Sequence, residues 1–351
     1  MILDKRADLG HGDVKKLLFS LSVPTITSQI VNMLYNLVDR VFIGHMQPAE
    51  TVGKLALTGV GVCLPIIMVI SAFASLMAIG GAPRASIAEG AGESEKSERI
   101  MGNCLTMLVI TALVLTVLFE SFAEPLLLMF GASENTVGYA LDYMRIYALG
   151  TIFVQLTLGM NAYITAQGFA TVSMKTVLIG ALLNTALDPL FIFVLGLGVR
   201  GAALATVISQ AVSAVWVMTF LTGKKTRWHL KRENLRVDAK IVLPCIALGL
   251  SPFVMQSTES LIAICLISPA LRRRHGCRHD DGADEHHAVF EHAASGLDAG
   301  RTAHRELQFR RKERPARARC LLLPAARVLY LFNGHLASGR ALPARVHPDF
   351  Q

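Results

Sequence analysis

Long apolar stretches alternate with short polar breaks along the first 267 residues of the chain. Seven stretches are long enough to cross a bilayer core as a helix, which takes about 20 residues. They cover approximately 17 to 43, 56 to 80, 101 to 123, 138 to 160, 172 to 195, 201 to 222 and 241 to 267. Gly, Pro and charged residues mark the breaks between them. The pattern predicts an all-α polytopic membrane protein.

Composition supports the same class, because 52% of the 351 residues are hydrophobic, 17% are charged and the mean hydropathy is +0.47. The first stretch is too long for a cleaved signal peptide and carries Gln29, Asn32 and Asp39. The six cysteines have no metal-ligand spacing, and we expect neither a metal site nor a disulfide.

Basic residues lie mainly in alternate loops, which sets the predicted orientation. They cluster before the first span, in the second, fourth and sixth loops, and are sparse in the others. This places the N-terminus in the cytoplasm and the protein in the plasma membrane as a multi-pass chain. Binding of anionic lipid by the same clusters is an alternative reading.

Ionisable residues inside a span are costly, so each one is a candidate functional residue. In the first span Asn32, Tyr35, Asn36 and Asp39 share one helical face, which we expect to point inward. Pairing of Asp39 with Arg40 at a helix end is the structural alternative. Asp39 is therefore the first candidate site residue.

The fifth span contains Asn184 and Asp188 one helical turn apart, followed by Pro189. Proline lacks an N–H, so the carbonyl of Thr185 loses its helical donor. A carboxylate, an amide and a free carbonyl at one level suit a desolvated cation, although the Asp-Pro pair could simply end the helix. Pro24 is expected to bend the first span in the same way.

Two further features lie in the sixth and seventh spans. Glu259 is an acid within the seventh span, with Gln256 nearby, and is either functional or a structural hydrogen-bonding residue. Gly201, Ala205, Ser209 and Ser213 form a ridge of small residues, which predicts helix packing rather than chemistry.

Several strings together resemble the multidrug and toxic compound extrusion (MATE) transporters, in particular their MepA-like branch. These are VPTITSQIVNMLYNLVDRVFIGH, NAYITAQGFATVSM, LLNTALDPLFIF, GVRGAALATVISQ and MQSTESLIAIC. The resemblance covers roughly residues 12 to 266 and implies two six-helix lobes around a cavity that opens alternately to either side. It also implies export of organic cations or drugs in exchange for Na⁺ or H⁺, without an organic cofactor.

Carried onto this chain, the resemblance implies a cation or proton site in the N-lobe and an acidic residue in the first C-lobe helix. The implied site residues are Asp39, Asn184, Asp188, Thr206 and Tyr143, with Pro24 and Pro189 at helix bends and Glu259 as the C-lobe acid. Tyr143 competes with Tyr139 and Tyr147, which lie on the same face. The predicted segments are a cytoplasmic N-terminus (1–16), a six-helix N-lobe (17–222), a cytoplasmic inter-lobe loop (223–240), a seventh transmembrane helix (241–267) and a tail (268–351).

The tail differs in composition from the rest, with 14 Arg against one Lys and many His, Ala and Pro residues. Back-translated in a shifted frame, three of its stretches can read, in the right order, as sequence resembling these transporters beyond the seventh helix. We therefore expect a frameshift near Leu266 to Ser268 and a non-native or disordered tail, in which His286, His287 and His292 form no metal site. A basic disordered tail that binds acidic partners is the alternative.

Other function classes are weighed against the antiporter. A lipid-linked precursor flippase of the same superfold would favour a cavity lined with Arg and Lys, and the intramembrane acids argue against it. An intramembrane enzyme would need H-E-x-x-H, G-x-S-x-G or an intramembrane His, and the spans contain none. An inactive polypeptide encoded by a damaged transporter gene is the fourth possibility. We expect a non-enzymatic monomer in the lipid bilayer that binds no nucleic acid.

Overall fold

The computed structural model describes residues 14–267, which form a bundle of α-helices without β-strands in that range. The helices are α1 (Val14–Gly44), α2 (Lys54–Gly90), α3 (Ser94–Met129), α4 (Val137–Leu149), α5 (Thr151–Ala166), α6 (Ala170–Pro189), α7 (Val199–Thr222) and α8 (Ala239–Ile267). Single π-helical turns at Ala49–Gly53 and Leu190–Val194 and a 3₁₀ turn at Arg232–Leu235 complete the described elements. The expectations about the tail, its histidines and residues 1–13 fall outside the described residues.

Every predicted apolar stretch is helical, so the all-α membrane prediction is confirmed for the described part. Five described helical segments are individually long and apolar enough to span a bilayer. They are α2 with the end of the π-helical turn before it, α3, α6 with the π-helical turn after it, α7, and Ala239–Ser260 of α8. The pair α4 and α5 reaches this standard together. Helix α1 has 31 residues but is less apolar than α2, because Gln29, Asn32 and Asp39 interrupt its hydrophobic sequence.

The fourth span is not the single helix that the sequence predicts over 138 to 160. The chain bends by 56° between α4 and α5 at Gly150. A Cβ atom on Gly150 would overlap the side chain of Val207 in α7. The glycine thus allows the bend to pack directly against α7, a tertiary contact that apolar periodicity does not reveal.

Apolar side chains are exposed along the outer surface of the bundle. On α3, Leu113, Val114 and Val117 are 56%, 60% and 67% exposed, and α7 and α8 carry similar residues. In water such a continuous apolar surface would be unfavourable, whereas it matches the hydrocarbon interior of a bilayer. This surface supports a multi-pass membrane protein.

Helices α2 and α8 run antiparallel and pack closely along their length. Ser260 donates to the carbonyl of Pro65 at 2.9 Å, and Gln256 donates to the Ser75 hydroxyl at 2.9 Å. Towards the other end of the pair, a Cβ atom on Gly80 would overlap the carbonyl oxygen of Cys245, and one on Gly249 would overlap that of Leu76. The two backbones therefore touch at these glycines, each of which faces the backbone of the other helix.

The ridge of small residues on α7 packs as predicted. Gly201, Ala205, Ser209 and Ser213 are buried. The Ser213 hydroxyl donates to the carbonyl of Thr176 in α6 at 3.3 Å. A Cβ atom on Gly180 of α6 would lie 2.6 Å from the same hydroxyl oxygen. The ridge thus brings α6 and α7 close together, which positions the polar residues they carry.

We expect Gly80→Ala and Gly249→Ala each to lower the free energy of unfolding by about 1–3 kcal/mol, the usual cost of overfilling a packed interior. The matched control is Gly61→Ala in α2, where an added Cβ meets nothing within 4 Å. Unfolding by a denaturing detergent, followed by circular dichroism, measures the difference. Equal stability of all three variants would contradict the close α2–α8 contact.

Candidate functional site

Helices α1, α6 and α7 bring most of the predicted site residues into one buried polar cluster. Asp39 on α1 is 7% exposed, and Asn184 and Asp188 on α6 are 1% and 0% exposed. Thr206 on α7 is 8% exposed. Asp39 and Asp188 lie near enough for their charges to repel each other. Residues far apart in the sequence therefore meet at one place, which we call the polar cluster.

Hydrogen bonds join α6 to α7 inside the polar cluster. The Asn184 amide nitrogen donates to Asp188 Oδ1 at 3.1 Å and to Thr206 Oγ1 at 3.4 Å. Thr206 donates its own proton to the carbonyl of Ala202 at 3.1 Å, so its oxygen acts as an acceptor for Asn184. Asn184 is thus oriented with its amide nitrogen towards these partners and its carbonyl oxygen free.

Three buried oxygen atoms of the polar cluster receive no hydrogen bond from the protein. They are Asp39 Oδ1, Asn184 Oδ1 and Asp188 Oδ2. A buried carboxylate oxygen without a donor is costly, and native proteins normally pair such atoms. A proton or a cation with a preference for oxygen ligands would satisfy these atoms. Among the described residues, no group of three or more His, Cys, Asp or Glu side chains forms a metal site.

The alternative that Asp39 merely pairs with Arg40 finds little support. Arg40 lies close enough to attract the Asp39 carboxylate, but no ion pair joins the two side chains. Asp39 is also buried, whereas a cap at a helix end would face water. The inward-facing prediction holds for Asp39 but not for Asn36, whose side chain is exposed and donates to the Asn32 carbonyl at 2.6 Å.

Tyr143 on α4 lies beside the polar cluster. Its side chain is 4% exposed and is near enough to interact with both Asp39 and Thr206. Its ring stacks on that of Tyr147 at a centroid distance of 5.9 Å. Tyr139 is only partly buried. Of the three tyrosines on this face, Tyr143 is thus the one that lies beside Asp39 and Thr206, and its role stays a prediction.

Proline residues lie in both helices that carry the acids. Helix α6 ends at Pro189, immediately after Asp188, and continues as a π-helical turn at Leu190–Val194. Asp188 consequently lies where the regular helical ladder stops. Pro24 lies inside the continuous helix α1, and its carbonyl accepts a hydrogen bond from Ser28 at 2.8 Å.

Glu259 lies on α8, which packs against α2 and not against α6 or α7 to a comparable extent. It is partly buried and has an interaction partner. Its neighbours Gln256 and Ser260 both bond to α2. The structure thus places Glu259 on a different helix pair from the polar cluster, and its role stays a prediction.

Two further residues lie near the polar cluster: Tyr35, which the sequence placed on the inward face of the first span, and Gln210, which the sequence did not single out. Tyr35 on α1 interacts with Asp39 and with Gln210 on α7. Gln210 follows Thr206 by one helical turn, and its Oε1 atom is buried without a hydrogen-bond donor. In the sequence, Gln210 could have been found from its four-residue spacing to Thr206, which places both on one face of α7. That spacing points to the polar cluster only once Thr206 is known to lie there.

Comparison with known proteins gives consistent relatives. The family model MatE matches residues 24–190. The multidrug export protein MepA of Staphylococcus haemolyticus (strain JCSC1435) is 27% identical over 245 residues, which cover 70% of this chain and 53% of that protein. The chain thus spans about half the length of the curated relatives it matches.

Solved structures share the fold. A MOP superfamily transporter from Pyrococcus furiosus, reported to have a binding pocket of reverse polarity, superposes with a TM-score of 0.76 at 24% identity, covering 87% of this chain and 67% of that one. A chain called protein A has a TM-score of 0.77 at 30% identity, covering 87% of this chain and 69% of that one.

The bare oxygens of the polar cluster lead to a stability prediction. Asp188→Asn removes one of two neighbouring buried acids and supplies an amide donor beside the bare oxygens, while its carbonyl can still accept from Asn184. We expect it to raise the free energy of unfolding at neutral pH by about 1–3 kcal/mol. Asp142→Asn is the control, because Asp142 is 40% exposed in its surface pair with Arg200 and should change stability by less than about 1 kcal/mol. Thermal unfolding in detergent compares the two, and a loss of stability in Asp188→Asn would contradict the prediction.

Proposed function

Because this chain belongs to the multidrug and toxic compound extrusion (MATE) family, we propose that it forms the first half of a secondary antiporter. The complete transporter would export small organic cations or drugs in exchange for Na⁺ or H⁺. The observation that carries the proposal is the polar cluster, where two buried acids and an amide have oxygen atoms without donors. The related multidrug export proteins support the substrate class.

The polar cluster suits the exchange of a proton or cation because its ligands come from separate helices. Asp39 is on α1, Asp188 is on α6 and Thr206 is on α7. A bound Na⁺ or proton would neutralise charge between these helices and allow them to approach, whereas its loss would let the carboxylates repel each other. Asn184 and Thr206 offer neutral oxygens, which help to coordinate Na⁺ but cannot replace the negative charge. Tyr143 would line the same space.

The segment boundaries remain those predicted from the sequence. The N-lobe would comprise 17–222, with α4 and α5 counted as one bent span, and 241–267 would be the first helix of the C-lobe. Residues 1–16 and 223–240 would be cytoplasmic, and Glu259 would be the acidic residue of the C-lobe. The protein would be a monomer in the plasma membrane. We infer no enzymatic reaction and no nucleic-acid partner.

We further propose that residues 268–351 are translated out of frame. The change in composition after residue 267, with 14 Arg against one Lys, supports this proposal. Alternating access moves one lobe against the other around a central site, so a single lobe cannot form two gated faces. Sequencing the DNA across codon 267 tests the frameshift directly.

The flippase alternative differs in the chemistry of its substrate. A pyrophosphate-linked lipid would require several basic side chains in the cavity, whereas the polar cluster is formed by Asp39, Asn184, Asp188 and Thr206. Arg40 lies next to Asp39 but is a single basic group. The acids of the polar cluster therefore favour the cation antiporter over the flippase.

The first functional prediction is that the chain as written does not confer drug efflux, while a frame-restored version does. The physical reason is that the second gated face requires a complete C-lobe. Ethidium accumulation in cells expressing each version measures the difference, with membrane expression levels as the control. Efflux by the 351-residue chain would refute the prediction.

In the frame-restored protein we expect Asp39→Asn and Asp188→Asn to abolish coupled export without loss of folding. The amide is nearly isosteric with the acid but can neither exchange a proton nor balance the charge of Na⁺. Thr206→Ala should reduce export less, because it removes one neutral ligand among several.

Drug efflux against an imposed Na⁺ or H⁺ gradient measures these effects. Asp142→Asn is the control for substitution of an acid outside the polar cluster, and it should export normally. Normal efflux by well-expressed Asp39→Asn and Asp188→Asn proteins would mean that both acids are structural.

A further inference from the structure

Residues 223–238 connect α7 to α8 and, apart from the short turn Arg232–Leu235, have no regular helix. From its sequence this connection reads as a polar loop with many basic residues. We call helices α1 to α7 the N-terminal bundle. In the structure, the backbone and side chains of the connection bond to three separate parts of this bundle. We refer to residues 223–238 as the strap.

Gln167, at the end of α5, holds the first part of the strap. Its Oε1 atom accepts hydrogen bonds from the Thr226 hydroxyl at 2.8 Å, from the Arg227 amide at 2.8 Å and from the Trp228 amide at 3.2 Å. Gln167 is 2% exposed and Trp228 is 1% exposed. A buried aromatic residue and a shared acceptor therefore anchor residues 226–228 on the bundle.

Two acids of the α2–α3 hairpin hold the middle of the strap. Glu98 accepts a hydrogen bond from the His229 amide at 3.0 Å and forms an ion pair with Lys231, whose Nζ lies 2.7 Å from Glu98 Oε2. Glu89 pairs with Arg227 and accepts from the Trp228 indole at 3.2 Å. The side chains of Glu89 and Glu98 are only 8% and 9% exposed, so these pairs are better shielded from water than ordinary surface pairs.

Glu98 also affects the charge state of its partner. Close contact with the Glu98 carboxylate, and the attraction between the two charges, raise the pKa of the Lys231 ammonium above its usual value. That raised pKa sets the alkaline limit of the pair, which would weaken as the pH rises through it.

Asn103 on α3 holds the last part of the strap. Its amide nitrogen donates to the carbonyl of Asn234 at 3.3 Å, and its Oδ1 atom accepts from the Asp238 amide at 2.6 Å. Asp238 in turn caps α8, because its carbonyl accepts from the Ile241 and Val242 amides, both at 2.9 Å. The same residue thus bonds to α3 and begins α8.

We propose that the strap is a rigid connection that fixes Asp238, the residue at which α8 begins, on the N-terminal bundle, through Gln167, Glu98 and Asn103. Movement of α8 relative to the bundle would then pivot after Asp238 rather than within a flexible linker. The relevance of this pivot to transport rests on the proposed function, whereas the docking of the strap does not. Arg227 and Lys231 would hold the strap through their pairs with Glu89 and Glu98, in addition to any effect on membrane orientation.

Hydrogen–deuterium exchange with mass spectrometry tests the strap in the full chain in detergent micelles. The amides of Arg227, Trp228 and His229 should exchange slowly although they lie outside regular helices. Gln167→Ala and Glu98→Ala should accelerate exchange of peptides covering 226–231 roughly tenfold. Each variant removes hydrogen-bond acceptors of the strap, and the loss of such bonds shifts the local opening equilibrium by about a factor of ten. Gln167→Glu retains the acceptor oxygens and should restore slow exchange.

Position-specific effects separate this proposal from general destabilisation. Asn103→Ala should accelerate exchange at residues 234–242 while leaving 226–229 slow. Asp142→Ala is the control, because Asp142 on α4 is in an exposed pair with Arg200 on α7 and should change neither region. Peptides from α5 report whether the bundle remains folded in each variant.

Rapid exchange of the strap in the unmodified chain would overturn the proposal, as would unchanged exchange in all three alanine variants at Gln167, Glu98 and Asn103. If Gln167→Ala unfolds the bundle, Glu98→Ala and Asn103→Ala still decide the matter. None of these measurements depends on transport, so failure of the proposed function leaves the result interpretable.

Discussion

Close contact between α2 and its neighbours holds the described bundle together. Gly80 lets the backbone of α8 approach at Cys245, and Gly81 faces the Tyr163 hydroxyl of α5 and the thiol of Cys104 of α3. In lipid there is no hydrophobic force to drive helices together, so contacts of this kind, with interhelical hydrogen bonds, supply the stability. The bend at Gly150 between α4 and α5 and the ridge of small residues on α7 likewise let neighbouring helices approach closely. The position of every polar residue depends on these approaches.

The polar cluster differs from these closely packed and hydrogen-bonded contacts. Two acids and an amide are buried with oxygen atoms that lack donors, although the surrounding helices could have been filled with apolar side chains. Buried polar atoms without partners cost stability, so this arrangement is unfavourable for packing alone. Its residues are distributed over α1, α6 and α7, so the proposed neutralisation of its charge would alter how these helices pack.

Acidic residues have a different role at the α2–α3 hairpin. Glu93 and Glu95 form exposed pairs with Lys96 and Arg99, which contribute little to stability. Glu89 and Glu98 differ by only a few positions in the sequence, yet they are buried under the strap and bond to Trp228 and His229. Identical residue types within one short segment therefore serve either as solvated surface charges or as fixed anchors, according to what packs over them.

The sequence by itself determined the membrane class, the order of the helices and the candidates Asp39, Asn184 and Asp188, because long apolar stretches and polar interruptions are local features. Thr206 and Tyr143 became candidates only through the resemblance to the MATE transporters. The spacing of Asn184 and Asp188 already placed them on one face of α6. Only the tertiary structure decided that Asp39 and Thr206 meet them, that Gly150 divides the fourth span and that Gln167, Glu98 and Asn103 hold the strap. Those contacts join residues tens to more than a hundred positions apart, and no local period specifies which helices will approach each other.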